Sequence, residues 1–229
     1  MKKITLFEEY SKSLKKRFLY HDTRELISNK YIASLKGKAF YDGHRDHGMG
    51  GYKYDKRWSD VATKLVDFFG LNNNSKILLV NAAKGYLLYE LKKMLPKAEI
   101  YGLEESKYAI SKSKKKIKRF MKFHEGYKIS FKDNYFDLVF APGYVYEFSL
   151  KDIIKSLKEL NRVSINKKNI YVSLGSYFNV SSLKKMRHWS LLGTTLLREH
   201  EWEYLLKKLK YKGFYEFVNS KTLNLTYEK

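Results

Sequence analysis

The chain has 229 residues, a mass of 27.2 kDa, no cysteine and a formal charge of +22. Its length suits one α/β domain with a terminal extension, its lack of cysteine excludes disulfides, thiolate metal sites and cysteine nucleophiles, and no apolar run approaches the roughly 20 residues that span a bilayer. A soluble, unsecreted, cytoplasmic protein is expected. The basic residues comprise 38 Lys and only 8 Arg, whereas sites that grip phosphate or base edges favour the bidentate guanidinium. Nucleic acid is therefore disfavoured as a partner, and the Lys112–Arg119 run reads as a solvated helix face.

In chain order, Leu6, Tyr10, Leu14 and Phe18 recur at four-residue intervals, and Leu26, Ile27, Tyr31 and Leu35 continue the pattern. The spacing predicts two helices between about Thr5 and Leu35, either capping the domain or pairing with another subunit as a homodimer. The stretch Tyr41–Trp58 is rich in glycine, aromatic and charged residues and reads as a functional loop. A helix follows over Ser59–Phe69, with Gly70 as its stop. We treat 1–58 as N-terminal helices and loop packed on a main domain over 59–229.

The most informative stretch is Lys76–Glu105. Ile77-Leu78-Leu79-Val80 is apolar without alternation, as in a parallel strand covered on both faces. It breaks at Asn81-Ala82-Ala83-Lys84-Gly85, whose small side chains let a ligand approach the backbone at the start of a helix over Tyr86–Met94. A second strand, Glu99–Leu103, delivers Glu104 and Glu105, where a carboxylate can accept hydrogen bonds from ribose hydroxyls. A helix over Ser106–Met121, a strand over Phe136–Ala141, a helix over Leu150–Arg162 and a strand over Asn169–Leu174 complete an alternation that implies a parallel sheet. A helix over Glu199–Leu209 then precedes strands at Gly213–Val218 and Thr222–Tyr227, close enough for a hairpin.

From about Phe40 to Phe217 this arrangement resembles the class I S-adenosylmethionine-dependent methyltransferases. Leu78–Gly85 sits where that family has its first cofactor motif, Glu104 at its ribose-binding acid, and Glu125 where an acid lies near the adenine amino group. Gly48–Trp58 looks like a signature of a bacterial subgroup linked with surface-sugar and other small-molecule modification. The resemblance implies an α/β Rossmann-like fold with a mostly parallel seven-stranded sheet, a C-terminal antiparallel hairpin and an N-terminal helical extension.

The resemblance also implies S-adenosylmethionine as cofactor, and methyl transfer to an oxygen or nitrogen of a small polar acceptor. In that frame Asn81, Ala83 and Gly85 lie at the cofactor turn, Arg57 pairs with the methionine carboxylate, and Tyr52 and Tyr54 close over the cofactor. His44 and His47 are the candidate bases, since imidazole titrates near neutrality, and Tyr146 and Tyr177 are weaker candidates for the acceptor pocket. No metal is expected. The family usually has an acid at Leu79 and glycine at Asn81 and Ala83, so a rival reading is a non-catalytic binding or scaffolding protein that has lost the cofactor.

Overall fold

The computed structural model describes residues 1–6, 17–19, 25–55 and 57–227. Seven strands join in one sheet in the order β1-β9-β7-β6-β3-β4-β5, with β1 at Lys2–Lys3, β3 at Lys76–Val80, β4 at Glu99–Glu104, β5 at Met121–Phe123, β6 at Leu138–Ala141, β7 at Ile170–Tyr177 and β9 at Phe214–Val218. Every pairing along that path is parallel. A two-residue β8 (Leu197–Arg198) joins β7 off the path, and β2 (Arg17–Leu19) pairs with β10 (Leu225–Tyr227) in a separate two-stranded sheet. Among the described residues no helix is long and apolar enough to cross a membrane.

The helices are α1 (Ile27–Ser34), α2 (Lys38–Asp42), α3 (Arg57–Phe69), α4 (Tyr86–Met94), α5 (Lys107–Ser111), α6 (Leu150–Val163), α7 (Val180–Trp189) and α8 (Glu199–Lys208). They cover both faces of the sheet, so its central strands are apolar at consecutive positions. Successive side chains of β3 divide between two cores. Leu78 and Val80 join Ile153, Leu157 and Trp202, while Ile77 and Leu79 join Leu65, Leu88 and Leu91. Trp202 is fully buried and donates its indole N–H to the Gly175 carbonyl at 2.9 Å, fastening α8 to β7.

Three elements differ from the sequence-based expectation. The C-terminal antiparallel hairpin does not form: β9 runs parallel to β7 after a helix-bearing connection, and β1 occupies its other side. β1 takes the edge of β9 at Phe214 and Tyr215, and residues 225–227 pair instead with β2, some two hundred residues earlier. The expected helix over Ser106–Met121 is broken into α5, a 3-10 turn at Lys115–Phe120, and β5. The break brings Ile117 and Met121 onto Gly85, where an added Cβ would stand 2.7 Å from Ile117 Cδ1 and 2.8 Å from Met121 Sδ. Of the first expected helix, Tyr10 and Leu14 lie outside the described residues, and Phe18 stands in β2.

Truncation of Trp202 removes the largest fully buried side chain and leaves the Gly175 carbonyl without that donor. Trp202→Ala is expected to cost about 3–5 kcal/mol, read as a lowered urea midpoint; a loss under about 1 kcal/mol would show that the site collapses to fill the space.

Candidate active site

The sheet order reverses between β3, which leads outward through β4 and β5, and β6, which leads the other way through β7 and β9. In open α/β sheets ligands bind beyond the carboxyl ends of the strands at such a switch point. A cavity of about 260 Å³ lies there, between Val80 and Asn81 at the end of β3, Leu103 to Glu105 at the end of β4, His124 after β5, and Tyr144, Glu147 and Phe148 after β6. Lys36, from the junction of α1 and α2, closes one side.

The turn after β3 is left-handed at alternate residues: Asn81 has φ 61°, Ala83 φ 51° and Gly85 φ 70°. Glycine adopts this region freely and asparagine tolerates it, whereas alanine bears a steric cost. The backbone at Asn81 and Ala83 thus keeps the form glycine would give it, and Asn81 turns its amide to the Pro142 carbonyl at 3.3 Å, tying the turn to the segment after β6. Leu79, where the resembling family has an acid, is 2% exposed and packs in the apolar core.

Glu104 ends β4 with its carboxylate 1% exposed. Its Oε1 accepts from Tyr41 Oη at 3.1 Å and from the Ser106 N–H at 2.8 Å, and its Oε2 accepts from the Ala83 N–H at 2.6 Å. An ionised carboxylate offers about four acceptor positions, so room for a further donor is small. Burial raises the Glu104 pKa, against the pull of those donors and of Lys36.

Lys36 bridges Glu105 and Glu147, with Nζ 2.6 Å from Glu147 Oε2. Burial pulls the ammonium down, but the two carboxylates outweigh it and raise its pKa. Burial likewise pushes Glu147 up to about 7, with Glu105 and Glu104 adding to the rise and Lys36 opposing it. His124, lowered by burial, has an Nε2 with no hydrogen-bond partner among the described residues.

The expected site residues divide between this cavity and its support. Asn81 and Glu104 line it. Ala83 packs under Tyr41 and Tyr52, and Gly85 lies beneath Ile117 and Met121. Tyr52 stacks on Tyr86 at 5.0 Å, and its carbonyl accepts from Lys84 Nζ at 2.7 Å; that ammonium also reaches Asp42 at 2.6 Å. Tyr54 donates to Glu90, and Arg57 pairs with Asp55. Glu125 is exposed and borders a neighbouring depression, while His124 and Gly126 on either side of it face the main cavity. His44 is exposed beside Asp46, 6.3 Å from the His47 ring, and neither histidine lines the cavity. Tyr146 and Tyr177 do not line it either.

Lys36, Tyr41, His124 and Glu147 were not singled out from the sequence as site residues. Glu147 stands six residues past the expected strand Phe136–Ala141, and its place beyond a strand's carboxyl end was the one available signal. Lys36 reaches the site from across the fold and nothing in its local sequence marks it, whereas Tyr41 opens the Tyr41–Trp58 stretch that the sequence marks as a functional loop.

Residues 78–171 match the family model described as a methyltransferase domain. This segment is similar to that domain over 94 of the chain's 229 residues. The YcgJ protein of Bacillus subtilis aligns with a TM-score of 0.52 and 15% identity, over 65% of this chain and 66% of its own, just under two thirds. A putative methyltransferase of Haloferax volcanii, solved in complex with the Trm112 methyltransferase activator, aligns with a TM-score of 0.53 and 16% identity, over 79% of this chain and 75% of its own. Among curated proteins no significant match was found. At these identities the two structures establish the fold, α/β and Rossmann-like.

The residues around the cavity fit a nucleoside cofactor in kind: a carboxylate at the end of β4, a turn of small residues with left-handed backbone, and an imidazole nitrogen without a partner among the described residues on the cavity wall. The volume, by contrast, falls below the roughly 300–1,000 Å³ usual for ligand pockets.

Two outcomes follow. A β-branched side chain at a left-handed position is strained, so Ala83→Val is expected to cost about 1–3 kcal/mol; an unchanged thermal midpoint would show that the turn relaxes. Glu147 holds its proton to about pH 7 when folded, above the ordinary value of 4.5, so the folded state binds more protons between those values. Unfolding free energy therefore falls across that window as pH rises, with a slope of at most about 1.4 kcal/mol per pH unit from this group. Glu147→Gln should remove that share of the slope in urea titrations, and identical slopes in both proteins would place the Glu147 pKa outside the window.

Proposed function

We propose that this chain transfers a methyl group from S-adenosylmethionine to an oxygen or nitrogen of a small polar acceptor, of which a sugar or surface-polysaccharide precursor is one class. The observation that carries the reading is Glu104: a buried carboxylate at the switch point, bonded to the backbone of the turn after β3 and facing the cavity.

In this reading Glu104 takes the ribose hydroxyls, Asn81 and Ala83 shape the turn beneath them, and His124 Nε2 gives a polar contact at the far wall. When bound, the cofactor would supply a methyl group on a sulfonium sulfur; an aligned acceptor oxygen or nitrogen would bond to that carbon as the carbon–sulfur bond breaks and S-adenosylhomocysteine leaves. Tyr144 and Phe148 exclude water from one wall. Glu147, with a pKa near neutrality, is the group in the cavity suited to take a proton from the acceptor. His44 and His47 stand off the cavity, and Tyr52, Tyr54 and Arg57 brace the loop that covers the turn.

Isothermal titration with S-adenosylmethionine and S-adenosylhomocysteine tests the reading. Saturable binding is expected in the wild type and at least tenfold weaker binding in Glu104→Ala. A wild type that binds neither compound would favour the binding or scaffolding protein instead.

A further inference from the structure

Between α1 and α2 the chain makes a sharp corner at Lys36, whose φ of 43° is left-handed without glycine's freedom. That corner is held by polar contacts to the ends of the sheet. The Lys36 carbonyl accepts from Ser106 Oγ at 2.5 Å, the Lys36 ammonium bridges Glu105 and Glu147, and Tyr41 Oη donates to Glu104 at 3.1 Å. One short segment therefore supplies a cation and a hydroxyl to three carboxylates around the cavity, Glu104, Glu105 and Glu147.

The apolar anchoring of α1, which leads into this corner, is slight, while Tyr41 beyond it is 2% exposed and packed with Ala83 and Ala109. Leu26, Ile27, Tyr31 and Leu35 are each more than half exposed, Ile27 at 82%. The buried residues of α1 are only Asn29 and Ala33. A stretch held by polar contacts over little buried apolar surface opens at low free-energy cost, which describes α1 and the Lys36 corner but not the buried Tyr41 ring. The Tyr41 phenol takes an acceptor position on Glu104 that a ribose hydroxyl needs, and the Lys36 ammonium lies inside a cavity already small for a nucleoside.

We propose that Lys36 and Tyr41 form a strap that closes the donor cleft from within, their ammonium and phenol standing where a bound nucleoside's polar groups would go, so that cofactor entry requires the Lys36 corner to swing away and the Tyr41 hydroxyl to release Glu104. The strap rests on the donor reading of Glu104 given above. It makes cofactor binding a competition between ligand and strap, and apparent affinity is reduced by the fraction of molecules that are closed.

The test is titration of S-adenosylhomocysteine into wild type, Lys36→Met and Tyr41→Phe, together with amide hydrogen exchange. Both substitutions keep most of the side chain's volume, and two variants guard against one failing to fold. At least one folded variant should bind tenfold tighter or more, and in the wild type saturating ligand should speed exchange over residues 34–42 while slowing it over 81–85. Equal or weaker binding in both variants, or slowed exchange over 34–42, would overturn the strap and make this segment part of the cofactor's own wall. Absence of binding in all three proteins would instead remove the donor reading, and the strap with it.

Discussion

The carboxylate of Glu104 is the contact on which the arrangement of the site depends. It collects the Ala83 amide from the turn after β3, the Ser106 amide from the start of α5, and the Tyr41 hydroxyl from the N-terminal segment. A buried carboxylate is tolerated only when such donors meet it, so the three segments fold to a common point. The left-handed backbone at Ala83 is the local cost of aiming an amide there.

The loop over 41–55 is a brace of the same kind, one layer further out. Lys84 reaches from the turn to Asp42 and to the Tyr52 carbonyl, and Tyr108 donates to Asp42 from α5 at 2.8 Å. With Tyr52 stacked on Tyr86 and Tyr41 wedged against Phe40, the aromatic residues form a cover over Ala83. Their abundance has a physical use in that role, since a tyrosine buries a large apolar face while its hydroxyl keeps a partner.

Much of this was legible in the sequence where the signal is local. Strands β3, β4, β6 and β7 are short apolar runs bounded by turn residues, and such runs encode two covered faces wherever they lie. Glu104 was legible for the same reason, as the first acid after an apolar strand. Pairing between distant segments was not: of the strand expected over 222–227 only 225–227 forms, and it pairs with 17–19 rather than with β9 in a hairpin. Lys36 and Glu147 were invisible as a pair because their 111-residue separation carries no periodicity. Helix α5 stopped early because Ile117 and Met121 gain more by packing on Gly85 and Gly102 than by prolonging a lysine-rich helix.

The two places where the beginning of the chain meets its end, Lys2 beside Phe214 and Arg17 beside Leu225, bear on the order of assembly. Closing loops of about two hundred residues is slow relative to joining β3 to β4 across a single helix, because chain entropy is lost before the contacts that offset it form. The central strands, and with them the turn and Glu104, are placed to organise early. The outer strands seal the sheet late, and until they do β9 presents an unpaired edge on which a second chain could dock by mistake.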